Sequence, residues 1–523
     1  MGIGVELDQA EALMNAGRIS EAAAILTAFV ARKPRESRAL HMLGVTHAML
    51  GQQRDAEGFL QRARALKPQA VRILTDLAIV LIMLRRDRDA LALLDKVRKR
   101  EPELRLASFY TGVALANLER HSEALEIFGR LSQLEPDNDL CLLNYATVLG
   151  ALNRFEEAEA VADRLLMKKT TTEALLVKGF AAISRESLDE AIEFFDRVLA
   201  RDPDHAEAAY NRAGLRLLKG DLAAGWPDYE ARLRRDLSRV KPALDDVPHW
   251  AGEPLGGKSL LVYAEQGLGD ILLICRYLPP LAELGCNVFF LVPAAMTRIL
   301  RGASDGAHII DKVPEGRSFD FQIPMMSLPH RFATSIATIP GKVPYLFAEP
   351  QAVEHWRKII GVEGFKIGIA WQGNPAGRAD IGRSIPLADF RPLSQIPGVR
   401  LISLQKNHGL EQVDHLPAGM TIEQLDSSGS DGFIDTAAIM MNMDLIVTSD
   451  TSIANLAGAL GLPAWIVLKR IPDWRWLLEG EQTPWFPTLK LFRRERQMQD
   501  WRQLLQQIAD RIEGQLVCAP PSP

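Results

Sequence analysis

The sequence predicts two kinds of structure in one chain: an α-solenoid of paired helices over residues 1–235, and an α/β region with two doubly wound halves. Two observations predict this division. A pattern of small, apolar and proline residues recurs about every 34 residues in the first part of the 523-residue chain. Beyond residue 257 the pattern stops, and short apolar runs of strand length alternate with glycine-rich turns and helical stretches.

Composition and charge narrow the class of protein. Apolar residues make up 47% and charged residues 24% of the chain, which is typical of a globular protein. A net charge of −5 argues against a general attraction to nucleic acid or to an anionic membrane. No uncharged apolar run reaches about 18 residues, and the first residues lack the pattern of a secretory signal. The 4 cysteines are scattered, so we expect a cytoplasmic protein without a disulfide scaffold or a zinc site.

The repeats share a small residue in their second helix, an apolar residue four positions later and, in all but the fifth, a proline twelve positions later. The small residues that mark the repeats are Ala22, Ala56, Ala90, Ala124, Ala158 and Ala191. The prolines are Pro34, Pro68, Pro102, Pro136 and Pro203. A further small residue recurs in the first helix, at Gly44, Ala78, Gly112, Ala146 and Gly179. This is the signature of the tetratricopeptide repeat, in which amphipathic helix pairs bury their apolar faces by stacking on one another.

A degenerate seventh unit follows, with Trp226 and a charged tail that ends at Asp236, and it predicts either a polar cap or a junction. We expect the array to bind a protein acceptor in a concave groove. The alternative is that it only dimerises the chain, as a homo-oligomer formed through the repeats, or acts as a spacer. Residues 236–257, rich in proline and glycine, are expected to form a linker.

The remaining chain predicts a first α/β half over 258–350, a second half over 351–495 and a C-terminal helix and tail over 496–523. In the first half, an apolar strand is followed by a turn containing Gly267 and Gly269 and then by a helix. Two of the three fingerprint glycines make this a weak nucleotide motif. Two doubly wound halves place a ligand cleft at the carboxyl ends of their strands. We expect the C-terminal helix to cross back to the first half.

Several short stretches support a resemblance to a known family. Gly269–Asp270, followed by Leu278–Pro279, and the stretch 450–456 that opens a late helix resemble the heptosyltransferase-like glycosyltransferases of family 9. Stretches 326–329, 403–406 and 472–476 look like the same group, and the repeats make the chain similar to bacterial repeat-glycosyltransferases and, more loosely, to O-GlcNAc transferase. The resemblance implies a GT-B fold of two Rossmann-like domains, with the acceptor at the first half and a nucleotide sugar at the second. It implies no metal and no cofactor beyond that co-substrate.

On this resemblance, Asp270 is the catalytic residue, a general base on an acceptor hydroxyl. The alternative is that Asp270 only caps the helix that starts at Ile271, where a carboxylate is favoured. Asn455 stands where the family usually has histidine, which weakens the mechanistic equivalence.

Without a metal, the leaving diphosphate must be neutralised by protein groups. Thr451 and Ser452 open a helix whose N–H groups suit that task, and Asp450 orients the turn or touches the sugar. The alternative is an ordinary helix cap. The remaining residues assigned to donor binding, each with a structural or solvated alternative, are Arg378 and Arg383 for phosphate, Gln405 and Lys406 for ribose or base, and Asn455.

The leading prediction is therefore a metal-independent protein O-glycosyltransferase that modifies Ser or Thr of a protein recruited by the repeats; similar architectures suggest flagellin. One alternative is transfer to lipopolysaccharide or another glycan acceptor. Another is a non-catalytic repeat scaffold with a degenerate transferase domain. The hydrolase, zincin and P-loop motifs GxSxG, HExxH and GxxxxGK[ST] do not occur in the sequence.

Overall fold

The chain was analysed as a computed structural model that describes residues 3–235, 243–302, 306–375, 380, 382–426, 432–495, 498 and 500–518. By their contacts these residues divide into two units, Met1–Pro203 and Asp204–Pro523. The predicted change from helical repeats to an α/β region is confirmed.

The first unit consists of helices that pack in consecutive pairs. They are α1 (Ile3–Asn15), α2 (Ile19–Arg32), α3 (Ser37–Met49), α4 (Gln53–Leu66), α5 (Val71–Met83), α6 (Asp87–Arg100), α7 (Arg105–Asn117), α8 (His121–Leu134), α9 (Asp139–Ala151), α10 (Phe155–Lys168), α11 (Thr172–Ser184) and α12 (Leu188–Arg201).

Small residues of the first helices lie where the two helices of a pair come closest. A Cβ on Gly44 would lie 2.6 Å from Leu60 Cγ, and one on Gly112 would lie 2.7 Å from Phe128 Cζ. A side chain larger than alanine would push the pair apart, which explains why glycine or alanine recurs at this position. Helix α2 ends at Arg32, two residues before Pro34. Proline lacks the N–H that a further helical turn requires, so the helix does not continue through it.

The seventh helix pair belongs to the second unit. It comprises α13 (Ala206–Leu218), α14 (Leu222–Tyr229) and the short α15 (Arg232–Arg235). Trp226 is 1% exposed; its Nε1 donates to the Thr334 carbonyl at 3.0 Å, and its ring meets Trp474 edge-on with centroids 5.2 Å apart. Of the two expectations for this segment, the structure supports the junction.

The first sheet of the second unit is wholly parallel, with the order β3-β2-β1-β4. Its strands are β1 (Ser259–Tyr263), β2 (Asn287–Leu291), β3 (His308–Ile310) and β4 (Phe321–Pro324). Its helices are α16 (Leu268–Ile274), α17 (Leu278–Glu283), α18 (Ala294–Arg301) and α19 (Leu328–Arg331). The expected linker packs here: Gln322 of β4 donates to the Val247 carbonyl at 2.6 Å, and Trp250 is 6% exposed.

The second sheet is also parallel, with the order β6-β5-β7-β8-β9. Its strands are β5 (Phe365–Ala370), β6 (Val399–Ser403), β7 (Leu445–Ser449), β8 (Ala464–Leu468) and β9 (Leu489–Arg493). Its helices are α20 (Pro350–Ile360), α21 (Arg391–Ser394), α22 (Gly432–Met440), α23 (Ser452–Ala459) and α24 (Trp501–Cys518). Both strand orders reverse direction beside the first strand of their sheet, as in doubly wound folds, and this reversal opens a crevice at the carboxyl ends.

Helix α24 does not cross back to the first half, so that expectation is wrong. Its apolar residues Trp501, Leu505 and Ile508 lie in one core cluster with Ile367 of β5 and Val447 of β7. The apolar face of α24 is therefore buried against the second sheet.

The segment that joins the two sheets is fastened to α23. The N–H groups of Tyr345 and Leu346 both donate to the Ala459 carbonyl at the end of that helix, at 3.0 and 3.1 Å. The C-terminal end of α23 is thereby tied to the connection between the halves.

Candidate active site

A cavity of about 710 Å³ lies at the carboxyl ends of both sheets. Every predicted site residue that the structure describes lines it: Gly267, Gly269, Asp270, Arg383, Gln405, Lys406, Asp450, Thr451, Ser452 and Asn455. Arg378 lies outside the described residues. Loops from both halves thus bring residues that are far apart in sequence to one cavity.

Asp270 closes the first turn of α16. Its Oδ2 accepts the Gly267 N–H at 2.8 Å, which is the capping role that the sequence left open. Its Oδ1 pairs with the guanidinium of Arg475, which reaches the cavity from the loop after β8. The Asp270 side chain stays 16% exposed, so it is capped and ion-paired but still accessible.

The first turns of α16 and α23 touch each other beside the cavity. A Cβ on Gly269 would lie 2.9 Å from Asn455 Nδ2, so only glycine allows this approach. Asn455 donates from Nδ2 to the Thr451 carbonyl at 3.2 Å. Its buried Oδ1 has no hydrogen-bond partner within the described part of the chain, which marks a place for a donor.

The beginning of α23 lacks a side-chain cap. Thr451 occupies the N-cap position with extended backbone, but its hydroxyl lies 3.3 Å from the hydroxyl of Thr448 and takes no capping hydrogen bond. Ser452 and Ile453 follow it along the cavity wall. Uncapped N–H groups at a helix start favour an anion, because the helix dipole and the donors act together.

Arg383 lines the cavity from the loop after β5. Its Nε lies 3.5 Å from Asp380 Oδ1, and Asp380 is itself held by the Ser384 hydroxyl at 2.7 Å. A Cβ on Gly373 would overlap the Arg383 guanidinium, so glycine makes room for it. The Arg383 side chain is 21% exposed and is positioned by its neighbours rather than solvated.

Gln405 has the structural role that was its alternative. Its Oε1 accepts the N–H groups of Trp371 and Gln372 at 2.9 and 3.0 Å. Its Nε2 donates to the carbonyls of Gln372 and His408, each at 2.8 Å. The side-chain amide therefore holds the loop after β5 against the loop after β6. Lys406, beside it, is half-buried, and burial lowers the pKa of its ammonium.

Sequence reasoning missed a charged group that follows β8. Asp473 Oδ1 pairs with Arg475 Nη1 at 2.5 Å, and both residues line the cavity. Burial and the nearby charge of Asp450 raise the pKa of Asp473 to about 7. Burial also raises the pKa of Asp450, against the opposing effect of Arg383, and lowers the pKa of Arg475 to about 10. A carboxyl group with a pKa near neutrality suits proton transfer at physiological pH.

The signal for this group was present in the sequence. Stretch 472–476 follows a buried strand, and its charged residues alternate with tryptophans. Trp474 packs edge-on against Trp485 with centroids 5.5 Å apart, and Arg475 lies 4.5 Å from the centroid of the Trp474 ring. Trp474 is therefore a packing residue, and its ring holds Arg475 in place.

The described residues contain no group of three or more His, Cys, Asp and Glu side chains that could hold a metal ion. None of their helices combines the length and apolar character that crossing a membrane requires.

Comparisons with known proteins support the repeat region. A family model of the tetratricopeptide repeat matches residues 6–171, and a second one matches 143–204 and 176–236. The N-terminal region is therefore a tetratricopeptide array, and the seventh pair has the repeat's sequence although its contacts lie in the second unit.

One curated relative is Protein FlbA of Caulobacter vibrioides, 25% identical over 362 residues that cover 58% of this chain. The chain spans 60% of the length of that relative. Similar solved structures include a tetratricopeptide repeat protein from Parabacteroides merdae, 14% identical, with a TM-score of 0.33, covering 38% of this chain and 77% of that one. Another is PilF of Pseudomonas aeruginosa, 18% identical, with a TM-score of 0.34, covering 38% of this chain and 91% of that one.

Proposed function

We propose that this chain is a metal-independent glycosyltransferase of the GT-B type that transfers a sugar from a nucleotide-sugar donor to Ser or Thr of a protein. The observation that carries the proposal is the shared cavity at the carboxyl ends of two doubly wound sheets. One wall of this cavity provides an uncapped helix start and a positioned arginine, and the other provides a carboxylate.

The donor diphosphate is assigned to the N-terminus of α23 and to Arg383. The N–H groups of the first turn and the guanidinium supply the positive charge that a departing diphosphate needs. The unpartnered Oδ1 of Asn455 is assigned to a hydroxyl of the donor. The loops that Gln405 joins form the wall against which ribose and base would lie.

The acceptor hydroxyl is assigned to the side of Asp270. In the transfer step, its oxygen forms a bond to the anomeric carbon while the bond from that carbon to the diphosphate oxygen breaks. The hydroxyl proton passes to Asp270, and the electron pair leaves with the diphosphate, where α23 and Arg383 stabilise it. Arg475 positions the carboxylate, and Asp473 is a second group able to take up a proton at neutral pH.

The tetratricopeptide array is assigned to acceptor recruitment, since such arrays present extended surfaces for proteins. The acceptor suggested by similar architectures is flagellin. The similarity to FlbA over more than half of this chain is compatible with a relative that shares both regions.

The hydrogen bonding of Asp270 favours one competing function, a scaffold with a degenerate transferase domain. Both oxygens of Asp270 are engaged by Gly267 and Arg475, so proton transfer needs a lone pair that those contacts leave available. The same experiment separates the two functions.

The test is intact-mass analysis of proteins that co-purify with the chain, in cells carrying wild type, Asp270→Ala or Arg383→Gln. We expect a glycosylated partner with wild type and loss of the added mass with either variant. The matched control is Arg357→Gln, whose ion pair with Glu354 lies on the surface with 61% and 46% of the side chains exposed. An added mass that persists in Asp270→Ala would remove the catalytic assignment and favour the scaffold.

A further inference from the structure

A second cavity of about 730 Å³ lies in the α/β unit, apart from the one described above. Its walls come from the end of α16, from the segment that joins the two halves and from the loop before β9. Among the described residues that line it, Arg276 and Lys342 are cationic and none is acidic. The rest of the lining is mainly apolar, including Ile336, Val343 and Trp485.

Arg276 is 2% exposed, and the described residues form no ion pair with it within 4.0 Å. Its Nε donates to the Leu273 carbonyl at 3.0 Å, and its Nη2 donates to the Tyr345 hydroxyl and the Trp485 carbonyl, each at 2.9 Å. The guanidinium also lies 4.6 Å from the centroid of the Tyr345 ring. These neutral partners fix its orientation but do not neutralise its charge.

The nitrogen Nη1 of this guanidinium remains without a hydrogen-bond partner among the described residues. It donates to no part of the chain that the structure describes, and it is not among the atoms sealed from solvent. Arg276 is one of the residues that line the cavity. A buried cation without a counterion is unfavourable unless a partner completes it.

We infer that this second cavity binds an organic anion, with a carboxylate or phosphate group against Arg276 and an apolar body along the remaining walls. The charged group of the ligand accepts a hydrogen bond from the buried guanidinium and neutralises its charge. The exposed Lys342 at the rim adds electrostatic attraction for the anion. The apolar walls favour a hydrocarbon or aromatic body over a bare inorganic ion. This site is independent of the proposed transfer reaction and does not rest on it.

The experiment measures binding to the full-length chain by equilibrium dialysis, with octanoate and octyl phosphate as probes and octanol as the neutral match. We expect one or both anions to bind at least about tenfold more tightly than octanol, because hydrogen bonds to a charged group are strong. Preference between octanoate and octyl phosphate then identifies the anionic group. Binding of neither anion, or equal affinity for octanol, overturns the inference.

Variants locate the site. Arg276→Gln should weaken anion binding at least about tenfold, and Lys342→Glu about threefold or more, since it reverses a charge at the rim. Arg357→Gln, which changes an exposed arginine outside both cavities, should leave anion binding unchanged. A loss of anion binding in Arg383→Gln but not in Arg276→Gln would place the anion in the first cavity and overturn the inference. If Arg276→Gln does not fold, Lys342→Glu decides, because its side chain is exposed. A change below twofold in Lys342→Glu overturns the inference.

Discussion

Arg475 offers the sharpest test of the charge network in the first cavity. Its side chain is 10% exposed and pairs with Asp270 and Asp473, whose side chains are 16% and 36% exposed. Removing one partner of a fully buried pair costs about 3–5 kcal/mol, because the remaining charge is left uncompensated. Water reaches both carboxylates here and recovers part of that cost. At a pH above 7, where Asp473 is ionised, we therefore expect Arg475→Met to lower the free energy of unfolding by about 2–3 kcal/mol.

The assay is urea unfolding followed by tryptophan fluorescence. All 9 tryptophans lie in the second unit, so this signal is blind to the repeat array; they are Trp226, Trp250, Trp356, Trp371, Trp465, Trp474, Trp476, Trp485 and Trp501. The control Arg357→Met removes an exposed pair and should change stability by less than about 0.5 kcal/mol.

A double variant tests the cause of the loss. Adding Asp270→Asn to Arg475→Met removes one stranded carboxylate, so we expect about 1 kcal/mol of stability to return. If Arg475→Met behaves like the surface control, or if Asp270→Asn only adds to the loss, the buried ion pair does not stabilise the fold as described.

Two further predictions concern the second unit. The pKa of Asp473 is raised from 3.8 to about 7, so the fold favours its protonated form; the stability that this gives is complete below pH 3.8 and is lost as pH rises to about 7. Tryptophan-detected stability should therefore fall more steeply over that window in wild type than in Asp473→Asn, and equal slopes would refute the raised pKa. The second prediction concerns truncation: a chain that begins at residue 204 should keep its cooperative fluorescence transition. A chain that begins at residue 236 lacks the buried Trp226, and its free energy of unfolding should be lower by at least about 3 kcal/mol, as for Trp-to-Ala changes in a core. Equal stability of the two truncations would show that α13 and α14 are dispensable for the α/β unit.

The central strands could be predicted because they are covered on both faces. Stretches 258–264 and 366–371 are runs of mainly apolar residues of strand length, and the structure has β1 at Ser259–Tyr263 and β5 at Phe365–Ala370. No comparable run marks β3, β4 or β9, which lie at the ends of the strand orders. β3 and β9 each have one neighbouring strand, and β4 pairs on its outer side with the short stretch 248–250, so residues such as Gln322 and Lys490 interrupt an apolar run there.

The candidate site was predictable where a residue lies in the strand-to-helix connection or the first helical turn after a strand, as Asp270 does after β1 and Asp450 after β7. It was not predictable where a contact joins distant loops. The pairing of Asp270 with Arg475 spans 205 positions in the sequence, and no local pattern encodes it. The role of Gln405 was equally hidden, because its partners are backbone groups whose positions depend on the tertiary structure.

Helix α23 connects two places that would otherwise be separate. Its first turn borders the large cavity, and the carbonyl of its last residue holds the segment between the halves through Tyr345 and Leu346. At about 1.5 Å per residue it is a strut roughly 12 Å long. An anion bound at its first turn and the segment that joins the two sheets therefore contact opposite ends of the same short helix.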